Sequence, residues 1–327
     1  MHIKQVIEVP TGHILIVQGD RGLLECLSLG DYGKQVNLKC DAMGLFREPD
    51  QVRHQPMLPL EEKWVITIST QYGCSMGCSF WDVPKVGPGR NATLADLNGQ
   101  ISTAMSLHPT VRSGRRLNIH YARMGEPTWN QTVIEHATKL RAGLGLGFET
   151  IHPVVSTMLP VRNVYLRHFL SQWMRLKNEQ FLGEAGLQLS INSTDEGERS
   201  AMFKGNAMPL AESSEMMLRV MQESGVPRGR KITLNFAVAE YTVDAQKLAS
   251  MFSPAYFICK LTPMHKTTAA TQAGIQTAGD YPTYHPYQDM ESRLKSAGFD
   301  VLVFIASREE DSSRITCGNA ILSDGRK

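Results

Sequence analysis

The chain has no apolar run long enough to span a membrane. Its longest such stretches, for example 299–306, are broken by charge and fall far short of the roughly 20 residues a span requires. The opening residues, Met1-His2-Ile3-Lys4-Gln5-Val6-Ile7-Glu8, lack the apolar core of a secretory signal, so a cytoplasmic protein without a membrane partner is expected. Cysteine is scarce. Six in 327 residues, two of them close together, argue against a disulfide framework and for reduced thiols with a ligand or redox role. No charge of either sign is in excess, and a net charge of +2 neither demands nor excludes nucleic acid. The short clusters Arg112/Arg115/Arg116 and Arg228/Arg230/Lys231 read as solvated loops or helix ends. Internal repeats and low-complexity segments are also lacking.

What is present is an ordinary globular composition, 42% hydrophobic. Up to about residue 60 the chain alternates strand-length runs with Gly/Asp turns, which predicts a small antiparallel β domain over 1–60, with strands at 3–9, 13–18, 23–29 and 36–40. Pro56 and Pro59 mark the entry to a second domain, 61–327. There the pattern changes to strands followed by longer helical stretches. Strands are predicted at 65–70, 117–122, 151–156, 187–192, 231–239 and 256–262, with a late one at 300–306. Helices are predicted at 94–107, 131–142, 161–174, 210–223, 243–251 and 288–296. Six β-then-α units in succession predict a parallel sheet with helices outside it, and function at the carboxyl ends of the strands.

The chemically suggestive residues fall at those ends. After the first strand of the second domain the chain reads Gly73-Cys74-Ser75-Met76-Gly77-Cys78-Ser79-Phe80-Trp81. Thiolates at short spacing bind zinc or iron–sulfur clusters, and a cluster takes four ligands, mostly cysteines. The CxxxC spacing lies outside the usual CxxC zinc and dithiol patterns. On spacing alone, the pair is either a half-site needing ligands from elsewhere, zinc included, or two buried structural cysteines. Met124-Gly125-Glu126-Pro127 follows the second strand, Ser156-Thr157 ends the third, Ser190-Ile191-Asn192 ends the fourth, and Pro263-Met264-His265 follows the sixth. The stripe Met216, Met217, Val220, Met221 reads as the core face of a helix.

In this order the pieces resemble the radical S-adenosylmethionine (SAM) superfamily, and within it the RlmN/Cfr family of RNA adenine methyltransferases. That family reads GC-x3-C-x-FC, GMGEPLxN, a Ser-Thr strand end, an SLH strand end, an MPI-like stretch, LIPxN and a late CGQL. The counterparts here are Gly73 to Trp81, the run from Arg123 through Gly125-Glu126-Pro127 to Asn130, Ser156-Thr157, Ser190-Ile191-Asn192, Ala207-Met208-Pro209-Leu210, Leu261-Thr262-Pro263-Met264-His265 and Cys317-Gly318-Asn319.

The resemblance implies an α/β fold: a partial (β/α)6 TIM-like barrel of radical SAM type with a small N-terminal antiparallel β segment. It implies a [4Fe-4S] cluster on Cys74 and Cys78, and SAM as cofactor. Gly125 and Glu126 would meet the SAM amino group, with Ser156, Ser190, Ile191, Asn192 and His265 completing its contacts. Cys317 would be the catalytic cysteine that carries a methyl group. It further implies an RNA or other nucleic acid substrate and a small redox protein as electron donor, and is silent on oligomeric state. Three features depart from the family pattern. Trp81 stands at the third cluster position, and an indole N–H is a donor with no lone pair for iron. Thr67 stands where the family has a resolving cysteine, and a short β-rich segment replaces a larger helical RNA-binding domain. Three readings follow: a radical SAM base-modifying enzyme with cluster binding compromised by Trp81, or with a different substrate; a non-catalytic descendant that binds SAM or RNA; and a zinc-dependent fold. Asp82 is a candidate replacement ligand in the first.

Overall fold

The computed structural model describes residues 1–31, 57–145, 147–265, 267–276, 285–304 and 320–323. Cys317, Pro56 and the strand predicted at 36–40 lie outside them. Three N-terminal strands, β1 (His2–Val9), β2 (Gly12–Gly19) and β3 (Gly22–Leu29), form an antiparallel meander. They do not close on themselves. β3 pairs antiparallel with β4 (Trp64–Ile68), Leu29 opposite Val65, so the meander extends the main sheet. Beyond a two-stranded ribbon, β5 (Gln71–Tyr72) with β6 (Arg90–Asn91), the main sheet resumes with β7 (Ser113–Tyr121), β8 (Gly147–Thr157), β9 (Gly186–Ser190), β10 (Ile232–Val238), β11 (Phe257–Pro263) and β12 (Asp300–Val303). From β4 to β12 neighbours are parallel and in chain order, as βα units that pack helices outside require.

The helices among the described residues are α1 (Leu94–Ser106), α2 (Thr132–Leu144), α3 (Leu166–Arg175), α4 (Glu196–Phe203), α5 (Leu210–Ser224), α6 (Ala245–Met251), α7 (Thr268–Gln272) and α8 (His285–Ser296). Local chemistry starts several of them. Thr93 and Asp96 form a reciprocal capping box on α1, while Asp195 and Asp244 accept the first backbone N–H groups of α4 and α6. Among the described residues no helix is long and apolar enough to cross a membrane.

Successive side chains on a strand point to opposite faces, and here the two faces differ in kind. Ile66, Leu117, Ile119, Val155, Leu187, Leu234 and Leu261 are buried on the outer face. They share one apolar core with Leu97, Phe169, Met217, Leu248 and Leu294 of the helices. The alternate positions form an inner face that mixes polar residues with Val65, Val154, Ile258 and Leu302, and the carboxyl ends of β7 to β12 converge on one cavity, so the sheet is curled. The arrangement is the expected partial (β/α)6 barrel. β7 and β8 begin four residues before the predicted starts, Ser113 against 117 and Gly147 against 151, because their first turns of chain are polar and carry no apolar run.

Candidate functional site

The cysteine loop is fixed to the sheet before it reaches Cys74. At the end of β4, Ser69 exchanges hydrogen bonds with the Gln100 side-chain amide at 2.8 and 2.9 Å, and its hydroxyl donates to the Glu25 carbonyl at 2.5 Å. Gly73 then turns with φ +79°. A Cβ there would sit 2.1 Å from the Gly87 carbonyl oxygen, which also accepts the Cys74 N–H at 3.1 Å, so only glycine fits the turn. Further on, the Asn206 side chain donates to the Met76 carbonyl at 2.9 Å, and Ser79 N–H donates to the Met202 carbonyl at 2.9 Å.

The Gly125-Glu126-Pro127 turn locks directly onto this loop. Thr70 N–H and Gln71 N–H donate to the Met124 carbonyl at 2.8 and 3.2 Å, and Glu126 N–H donates to Gln71 Oε1 at 2.9 Å. Gly125 has φ +92°, and a Cβ on it would lie 2.4 Å from Gln71 Cβ. The close approach of the two loops therefore requires glycine. Asn130 closes the joint by donating to the carbonyls of Thr70 and Ala92, both at 2.8 Å. The Glu126 carboxylate is buried, and burial pushes its pKa up. Protein donors oppose that shift: Oε1 accepts from Thr128 N–H at 3.1 Å and Thr128 Oγ1 at 2.8 Å, and Oε2 from Met158 N–H at 2.8 Å.

Cys74, Gly125, Glu126, Ser156, Ser190, Asn192 and His265 all line one cavity of about 300 Å³ over the carboxyl ends of the strands, together with Trp81. Asn192, at φ 62°, accepts the Ala237 N–H at 2.9 Å and sets the β9 end against β10. Ile191 is placed differently. Its side chain is buried in the main core, and its backbone carbonyl accepts from Arg199. Cys78 does not border the cavity but packs with Cys74, Met76, Phe80, Val83, Met124 and Met264 in an apolar cluster beneath it. Gln188, Asn235, Lys260, Thr262, Met158 and Phe304 also line the cavity. Sequence reasoning missed them, although Gln188, Asn235 and Lys260 carried a signal as polar residues at alternate positions inside apolar strands.

Cys74 and Cys78 are each 3% exposed, and burial raises the Cys74 thiol to about 12, with Glu126 acting in the same direction. Without a bound cation this thiol stays protonated. Nor is a third ligand supplied among the described residues. Trp81 offers an indole at that position, and Asp82 is committed elsewhere: Oδ1 accepts Lys85 Nζ at 2.9 Å and Ala269 N–H at 3.0 Å, and Oδ2 accepts Thr268 N–H at 3.1 Å. Asp82 thus holds the first turn of α7. Among the described residues no group of three His, Cys, Asp or Glu side chains is placed to hold a metal ion. This donor set does not fit a three-cysteine cluster.

No family model matches the chain. It is 26% identical over 262 residues to a dual-specificity RNA methyltransferase RlmN of Sorangium cellulosum, covering 78% of this chain and 61% of that protein. To the RlmN of Anaeromyxobacter dehalogenans it is 28% identical over 206 residues, 59% of this chain and 50% of that one. The chain is a relative of the RlmN/Cfr-like radical SAM proteins. In fold it matches the crystal structure of a radical SAM methyltransferase from Sphaerobacter thermophilus, with a TM-score of 0.67 at 20% identity, over 97% of this chain and 80% of that one. Relative to the curated RlmN proteins it matches, the chain spans only about half to three fifths of their length.

Proposed function

We propose that this chain is a radical SAM methyltransferase-like protein of the kind that modifies RNA adenine. In this reading it is cytoplasmic, its cavity takes S-adenosyl-L-methionine, and its cluster binding is compromised by Trp81. The interlocking of the Gly125-Glu126 turn with the cysteine loop over the cavity carries the reading. SAM supplies a sulfonium-activated methyl or adenosyl group when bound. Ser156 and Ser190 present hydroxyls to its ribose or carboxylate, and the Gly125-Glu126 turn faces its amino group. Met76, Phe80 and Met264 supply apolar walls that exclude water. Glu126 keeps the turn in shape through Thr128 and Met158, so its effect on affinity includes positioning.

Because the donor set does not fit the cluster, reductive cleavage of SAM is not a step these residues support. An electron-donating redox protein belongs to the reading only where the third ligand is restored. The indole of Trp81 and the full engagement of Asp82 favour a second reading, a descendant that binds SAM or RNA without turnover. Thr67 favours a substrate or release route unlike the family's, since a hydroxyl cannot perform thiol chemistry. Cys317, the proposed methyl carrier, lies outside the described residues.

Calorimetric titration of the purified chain with SAM tests the cofactor site. Binding should occur without iron and weaken at least about tenfold in both Glu126→Ala and Ser190→Ala, the loss expected for a charged or multiple polar contact. No SAM binding by the unaltered chain, or affinity unchanged in both variants, would overturn it.

A further inference from the structure

Two of the buried cores of this chain are built from different side chains. Among the described residues the main core holds fifty-five buried apolar residues, of which seven carry sulfur. The core beneath the cavity holds eleven, and six of them carry sulfur: Cys74, Met76, Cys78, Met124, Met202 and Met264. It has no buried leucine or isoleucine, the residues that dominate the main core. Met158 and Trp81, both partly buried, pack against it. The sulfurs arrive from separate parts of the fold. Cys74, Met76 and Cys78 lie on the cysteine loop, Met124 follows β7, Met202 lies on α4 and Met264 follows β11. Methionine fills irregular gaps, but gap filling gives no reason for leucine and isoleucine to be excluded and thioethers to be gathered around both loop thiols.

A donor set of this kind discriminates between ions. Thiolates and thioethers favour Cu(I), imidazole suits zinc and other transition metals, and carboxylates suit hard ions. Among the described residues no three His, Cys, Asp or Glu side chains are grouped to hold a metal ion, so the ligand set of a four-coordinate structural zinc is lacking. Thioethers and an aromatic ring are present instead. Cys74, Met76, Met264 and Trp81 border the same cavity, and Cys78 packs in the cluster below it. The Trp81 N–H donates to the Cys78 carbonyl at 3.3 Å, and this turn keeps the indole close to the second cysteine. An indole has no lone pair for iron, yet the face of its ring attracts a cation. Trp81 therefore disfavours an iron–sulfur cluster without disfavouring a soft monovalent ion. Such an ion needs one thiolate for neutrality. When Cys74 ligates it, the thiol proton leaves to solvent, and the ion and thiolate together carry no net charge into the apolar core.

We propose that the sulfur-lined floor of the cavity, Cys74, Cys78, Met76 and Met264 with the Trp81 ring against it, binds one Cu(I) ion. The site needs neither SAM nor a substrate, so it stands apart from the preceding reading. It gives the two loop cysteines a soft ion where the donor set does not fit an iron–sulfur cluster.

The intact, reduced chain is titrated anaerobically with Cu(I) against a chromophoric Cu(I) chelator, and the loaded chain is studied by X-ray absorption at the copper edge. One ion per chain should be withdrawn from the chelator and be bonded to sulfur alone, and the melting temperature should rise. Zinc should not compete for the site. Cys74→Ser and Cys78→Ser should each abolish the withdrawal of copper. Met264→Leu, which nearly keeps the volume, should weaken binding and remove a sulfur from the copper spectrum. Trp81→Leu should weaken binding about tenfold, the scale of a partly desolvated cation–π contact. No withdrawal of copper by the unaltered chain, nitrogen or oxygen bonded to the ion, or zinc bound as tightly as copper would overturn the site. So would copper binding that survives in the double variant Cys74→Ser/Cys78→Ser, or affinity unchanged in both Met264→Leu and Trp81→Leu. Failure to bind copper by a chain that binds SAM overturns this site alone, and copper binding by a chain that does not bind SAM overturns the cofactor reading alone.

Discussion

Replacing Glu25 by glutamine should loosen two segments at once. Glu25 lies on β3 and is fully buried, with its carboxylate paired to the buried Arg123 guanidinium. Its other oxygen accepts the Ala320 N–H at 2.6 Å, three residues beyond Cys317, and its backbone carbonyl accepts the Ser69 hydroxyl. The arginine before the Gly125-Glu126 turn and the C-terminal turn 320–323 therefore meet on one side chain, whose own backbone holds the start of the cysteine loop. In Glu25→Gln the amide nitrogen must face either the guanidinium or the backbone N–H, donor against donor, and the buried ion pair with Arg123 is lost. Breaking a buried pair in this way costs about 3–5 kcal/mol. An unfolding entropy of about 2.1 cal/mol/K per residue gives about 0.7 kcal/mol/K for this chain, so the melting temperature should fall by about 4–7 °C. Scanning calorimetry near neutral pH measures it. The double variant Glu25→Leu/Arg123→Met should be more stable than Glu25→Gln, because removing both charges leaves neither stranded. A fall below about 1.5 °C in Glu25→Gln, equivalent to about 1 kcal/mol, would refute the assignment of this carboxylate as the tie between β3, Arg123 and the C-terminal turn.

Acid should destabilise the fold through two buried imidazoles. His136, bonded to the Tyr121 hydroxyl at 2.6 Å, and His152 are both held neutral chiefly by burial, with pKa values lowered to about 4 and about 3. In the unfolded chain they titrate near 6.5, so their contribution is complete above that pH. It is lost as pH falls below 6.5 toward the folded-state values, on the order of 2 kcal/mol each by pH 5. A urea midpoint that stays flat between about pH 7 and pH 5 would contradict this. Gly73→Ala should cost well over 2 kcal/mol, since its Cβ would strike a backbone oxygen at 2.1 Å. Gly145→Ala, at φ 57° in open space, should cost only about 1 kcal/mol. Equal urea midpoints for the two variants would show that the Gly73 turn is not under that constraint.

Much of the barrel was legible because its outer face is apolar at every second position, which marks strands and supplies the helices with a core. What was not legible depended on contacts between distant residues. The continuation of the sheet from β4 onto β3 joins Val65 to Leu29, and local alternation does not encode such a pairing. The eight-residue helix α4 carries too few apolar residues to declare a periodicity. Asp82 looked available as a ligand from its neighbours in the chain, yet its carboxylate is engaged by Thr268 and Ala269, 186 and 187 residues away. The motif residues Cys74, Gly125, Glu126, Ser156, Ser190, Asn192 and His265, which line one cavity, were singled out because their order is distinctive. Arg116 was read as part of a solvated loop or helix end but stands on β7, and His152 and Lys260 were passed over, because a polar side chain in a strand acquires meaning only once the sheet is known to curl around it.

The central proposal, that Trp81 leaves the cysteine loop without a third cluster ligand among the described residues, is tested most directly by measuring iron after anaerobic reconstitution of the unaltered chain and of Trp81→Cys, side by side. The account predicts about four irons per chain in Trp81→Cys, as a [4Fe-4S] centre requires, and markedly substoichiometric iron in the unaltered chain. Full iron loading of the unaltered chain, or no gain of iron on restoring the cysteine, would contradict it.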